Sequence, residues 1–102
     1  MIHVIALITT KPGLRDTVLA LFRTNVPAVH AELGCIEYGP VIDTEGAGRM
    51  QAPLGPDTFA VIEKWESMAH LGAHAAAPHM VAYGAATKDH MLGRVIHILS
   101  PA

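Results

Sequence analysis

Residues 2 to 10, IHVIALITT, form an apolar, β-branched run closed by Lys11-Pro12-Gly13, the pattern of a strand buried on both faces. From Leu14 the period changes. Leu14, Val18, Leu21, Phe22, Val29 and Leu33 recur at helical spacing, with Arg15, Asp16, Arg23 and Glu32 opposite, which predicts an amphipathic helix ending at Gly34. Pro27 has no amide hydrogen and crowds the carbonyl of Arg23, so a bend is expected near residues 23 to 27. Cys35 to Asp43 reads as a second strand, with a bulge or bend expected at Gly39-Pro40. Residues 44 to 57, TEGAGRMQAPLGPD, lack periodicity and are rich in breakers, so a flexible loop is expected there. TFAVIEKWE, 58 to 66, resumes strand character, and Ser67 is placed to cap a following helix. Residues 68 to 91 suggest a short helix and then a second one beginning near Pro78. Gly93 introduces a final strand, RVIHILS. The resulting order, β-α-β-β-α-β, is that of an α+β, ferredoxin-like split βαβ domain covering residues 1–102, with both helical layers on one sheet face.

Composition sharpens this picture. The chain has 102 residues, the size of one domain that buries a core without metal or disulfide staples, and its single cysteine can form no internal bridge. With 51% hydrophobic residues and a mean hydropathy of +0.34, it carries more apolar surface than one small core absorbs. A homodimer, sheet against sheet, is the expectation. Seven basic against nine acidic residues, net charge −2, without a basic run, argue against nucleic-acid binding. No stretch reaches the roughly 20 apolar residues of a membrane span, and the N-terminus lacks a basic n-region, so a cytoplasmic protein is expected.

Alternation along the third strand places Phe59, Val61, Glu63 and Trp65 on one side. Glu63 is therefore in phase with large apolar groups. Such a carboxylate has its pKa raised unless paired and can hold or relay a proton; the plainer role is an ion pair at a sheet edge or subunit seam. Trp65, the only tryptophan, ends the strand where a cleft would open, and either stacks on a flat ligand or packs in the core. His70 and His74 lie one helical turn apart, and His79 follows Pro78. Three imidazoles could converge, but no HExxH, CxxC or neighbouring carboxylate completes a ligand set, so no metal site is expected. Proton transfer or polar ligand contact suits them better, against the alternative of carbonyl capping. His3, His30, His90 and His97 have no partner at interpretable spacing. Cys35, without a basic flank, reads as a small buried residue, and Arg49 and Met50 either close over a ligand or stand in solvent.

ELGCIEYGP at 32 to 40, EKWES at 63 to 67, and His74-x4-His79 with Pro78 before the second histidine together resemble the antibiotic biosynthesis monooxygenase family, including its quinol monooxygenase-like members. The resemblance spans nearly the whole chain. It implies a dimeric α/β barrel in which each subunit holds a pocket between sheet and helices. It also implies oxidation of a small quinol or polyphenolic substrate by molecular oxygen without metal, flavin or haem. A deprotonated, electron-rich aromatic can itself pass an electron to oxygen, so the protein need only bind, orient and deprotonate it. By this resemblance Trp65 lines the pocket and His74 or His79 accepts the substrate proton, with His70 nearby. Strand phase adds Glu63 as a group that orients an imidazole. Haem-degrading relatives use an Asn on the first strand with a Trp and a His; Trp65 and His74 correspond, but IHVIALITT has no Asn. Two alternatives stand beside the oxidase reading: a non-catalytic dimeric module that shelters a hydrophobic metabolite, and a haem protein with His74 as axial ligand.

Overall fold

In the computed structural model, which describes residues 1–102, the predicted elements form in the predicted order. β1 (Ile2–Thr10) is followed by α1 (Arg15–His30), β2 (Cys35–Val41), β3 (Thr58–Trp65), α2 (Met68–Ala76), α3 (Pro78–Thr87) and β4 (Met91–Leu99). The four strands make one antiparallel sheet in the order β2-β3-β1-β4, the split βαβ arrangement. Val4, Ala6 and Ile8 of β1 and Phe59, Val61 and Trp65 of β3 meet Val18, Leu19, Phe22 and Val29 of α1 in a single apolar cluster. The helices thus cover one face of the sheet. No helix is long and apolar enough to cross a membrane.

Local features depart from the sequence reading, among them the outer face of β1, expected to be buried, where Ile5 is exposed and Leu7 half-buried. α1 ends at His30 rather than Gly34, and Leu33 is exposed. The helix runs through Pro27 without a break, because Pro27 stands in the last turn and costs it only one hydrogen bond. On β2 the irregularity lies not at Gly39-Pro40, which pair in register with Ile62 and Val61, but between Cys35 and Glu37. There Ile36 is the extra residue of a bulge, so Cys35 and Tyr38 face the same side despite their odd separation. Pro40 is tolerated because β2 is an edge strand.

The 44–57 segment holds one short 3₁₀ turn, Gly48–Met50. Asp43 gathers it, accepting the backbone N–H groups of Leu54 and Gly55 and the Gln51 side-chain amide. The Leu54 and Gly55 donors lower the Asp43 carboxyl below its usual range. At the other end Ser67 caps α2 as expected, its Oγ accepting the His70 N–H, and Pro78 opens α3 at a position where its missing amide hydrogen is harmless.

Candidate active site

Between the helix face of the sheet and α2–α3 lies a cavity of about 600 Å³, open on the β4 side and mostly apolar. Its sheet wall follows the register: Val4, Glu63 and Ile98 at one level, Ala6, Val61 and Ile96 at the next, Ile8 and Arg94 at the third. His74, Tyr38 and Tyr83 add its main polar groups.

His74 is buried, 5% exposed, and held on every side. Its ring leans on Trp65 with centroids 4.6 Å apart and meets Tyr38 edge-on at 5.3 Å. Its Nδ1 donates to Glu32 Oε2 at 2.8 Å, and the same oxygen accepts His79 Nε2–H at 3.0 Å. A carboxylate can only accept, so Glu32 fixes the His74 tautomer with its proton on Nδ1. Nε2, which has no protein partner and is not sealed from solvent, is left as a lone-pair base at the cavity wall. No group of three or more His, Cys, Asp or Glu is arranged to hold a metal ion.

The other predicted site residues are distributed unequally around this imidazole. Trp65 does not line the cavity. It is fully buried behind His74, and its indole N–H donates to Glu63 Oε1 at 2.9 Å. Glu63 does line the cavity, but orients the indole rather than an imidazole. Burial raises its pKa, partly opposed by the Trp65 hydrogen bond and by the nearby His74, and reinforced by Glu32. His79 faces a shallow groove on the outer side of α1 and α3, its Nε2 engaged with Glu32. His70 sits outside the cavity: its Nδ1 bonds Ser67 Oγ at 2.7 Å and its ring lies over Gly34, where a Cβ would come within 2.3 Å of it. Gly34 has φ +81°, and its carbonyl accepts the Glu66 N–H. His70 thereby clamps the turn that presents Glu32 to His74. Arg49 and Met50 do not reach the cavity.

Three participants were not singled out from the sequence: Glu32, Tyr38 and Tyr83. Burial pushes the Tyr83 phenol up to about 12 and raises Tyr38 further, with Glu63 adding to the latter, so both remain protonated donors. Their hydroxyls have no protein partner and stay open to solvent. Cys35 is half-buried, and burial, then Glu32 and Glu63, raise its pKa, which keeps it a thiol.

The chain is similar to known proteins over nearly its whole length. The family model described as antibiotic biosynthesis monooxygenase matches residues 1–86. A protein of Escherichia coli (strain K12) named probable quinol monooxygenase YgiN is 45% identical over 103 residues, covering 99% of this chain and 98% of that one. Among solved structures, PA3566 from Pseudomonas aeruginosa superposes with a TM-score of 0.82 at 24% identity, covering 99% of this chain and 93% of that one. Rv0793 from Mycobacterium tuberculosis gives 0.80 at 22%, covering 99% and 94%. Both structures share the fold.

Proposed function

This chain belongs to the antibiotic biosynthesis monooxygenase family, and on that premise we propose that it oxidises a small quinol or polyphenol with molecular oxygen, without a resident cofactor. The observation that supports the reading is the His74 imidazole, a lining residue of the apolar cavity whose Nδ1 is fixed by Glu32 and whose Nε2 has no protein partner. Nε2 takes the proton of a substrate hydroxyl, and two phenols of the lining, the buried Tyr38 and the half-buried Tyr83, donate to its oxygen substituents. The quinolate so formed, held away from bulk water, passes electrons to oxygen. One oxygen atom enters the ring, the other leaves as water, and the quinol becomes a hydroxyquinone: the substrate gives up four electrons and oxygen takes all four. His79 is a positioning residue that shares Glu32 with His74, and Trp65 is the backstop of the imidazole.

The far face of the sheet supports a homodimer. Ile5, Leu7, Ile62, Val41, Val95 and Leu99 share it by register and none is fully buried. A second copy laid sheet on sheet would cover this apolar surface, and light scattering would give twice the chain mass. A cytoplasmic location fits such an oxidase.

An oxygen electrode tests the activity. Chelator-treated protein given a naphthoquinol should consume oxygen well above the uncatalysed rate, and His74→Ala should lower kcat by about 10²- to 10⁴-fold, the usual range for a lost general base. Uptake no faster than buffer, with saturable binding of the quinol, would leave a binding module instead.

A further inference from the structure

The two ends of the cavity carry opposite charge. At the level of Val4 stand the Glu63 carboxylate and, behind His74, that of Glu32. At the level of Ile8, four residues further along β1 and therefore about 13 Å away, Arg94 projects from β4 on the same face. Lys88, from the turn after α3, joins Arg94 on the lining. Neither cation has a carboxylate within 4 Å or a hydrogen-bond partner. The ion pairs of the chain are Lys64 with Glu37 and the two histidines with Glu32, and Asp89 beside Lys88 does not line the cavity. Between the two ends the walls are apolar, from Ala6, Val61, Ile96 and Met80.

We propose that the cavity selects an aromatic quinol that bears an anionic substituent, a carboxylate in the first instance, on the side remote from the ring that is oxidised. This deepens the oxidase reading and rests on it for the position of the reacting hydroxyl. Arg94 and Lys88 receive the anion, while the other end, with Glu63 on the lining and Glu32 behind His74, offers it no cation. The ligand therefore enters in one orientation, hydroxyl toward His74 Nε2. The spacing calls for a bicyclic or extended aromatic rather than a bare ring. The chain as a whole is negative, net charge −2, so a preference for an anion has to come from this local pair and not from the overall field.

Calorimetry on the intact protein with a matched, redox-inert pair, a hydroxynaphthoic acid and its methyl ester, reads the charge preference without turnover. At low salt the acid should bind about tenfold tighter than the ester, the advantage shrinking as salt is added. Arg94→Gln with Lys88→Gln should bring the acid to the ester's affinity, and Arg94→Lys with Lys88→Arg should restore the preference. Equal binding of acid and ester to the unmodified protein would overturn the proposal, as would a preference that survives in the double Gln variant. Oxygen uptake with the matching quinol acid and ester separates the two readings. If the inert acid is preferred but neither quinol is turned over, the charge reading stands and the oxidase reading fails; if both quinols are oxidised with equal KM, the reverse holds.

Discussion

β3 and β4 both flank β1 through antiparallel ladders, the second shifted in register once between Thr9 and Thr10, yet β3 is buried or half-buried along its whole length while β4 is exposed from Leu92 to Leu99. The difference lies in what the helices reach. α1 and α2 lie over the β3 side, where Phe22, Phe59, Tyr38, Trp65 and His74 pack ring against ring. No helix packs closely on β4, and the inner-facing Ile96 and Ile98 look into the open side of the cavity at 48% and 50% exposure. Backbone pairing and side-chain burial are thus separate quantities. The first makes the sheet continuous; the second divides it into a closely packed half that holds the imidazole and an exposed half that borders the cavity.

The largest break in this contrast should come at Trp65. Trp65→Ala empties a fully buried site beneath His74 and removes the donor to Glu63. It should cost about 3–5 kcal/mol in denaturant unfolding. A loss below about 1 kcal/mol would mean that β3 is no more the anchor of the fold than β4.

Next is Glu63, the one buried carboxylate. Its pKa is raised by burial from an ordinary value of 4.5, so the folded chain holds that proton more firmly than the unfolded one. The stability it contributes is complete below the ordinary value and is lost as pH rises through the folded value. Glu63→Gln keeps an oxygen for the Trp65 N–H and removes the charge. Relative to the unmodified protein, the variant should therefore gain stability as pH rises above the ordinary value of 4.5, the gain levelling off once the folded carboxyl is ionised. A difference that is flat with pH, or falls, would mean that this carboxylate is not held in a dry site.

Legibility from sequence follows the same division. The strands and helices were readable because each carries its own period, its caps and its breakers, as at Ser67, Pro78 and the run IHVIALITT. Glu63 was readable as a cavity residue from strand phase, whereas helical spacing grouped His70 with His74 and only the family resemblance pointed to His74, the one of the two that lines the cavity. Glu32 was not readable, because helical spacing continued past His30 on paper and set it on a polar helix face, whereas the helix ends and a turn delivers it to two imidazoles. Its place at the head of ELGCIEYGP was the only signal. Tyr38 was hidden by the Ile36 bulge, since strict alternation groups it with Ile36 and away from Cys35. Trp65 was placed on the right face, but which side of the imidazole it occupies is a tertiary fact that no local pattern encodes.

The smallest effect on stability, and the sharpest on the contrast, belongs to Ile96. The residue is opposite Ala6 on the inner face, away from the sheet surface proposed for a second copy, and half of its side chain is already in water. Ile96→Ala should therefore cost about 1 kcal/mol or less in unfolding. A ligand filling the open half would still lose apolar contact in both ground and transition states, so KM should rise by several-fold to about tenfold with kcat little changed. If instead kcat falls and KM holds, β4 takes part in the chemistry rather than in admission. If Ile96→Ala unfolds the chain as readily as Trp65→Ala, the open half is as structural as the buried one, and the cavity has to be entered from elsewhere.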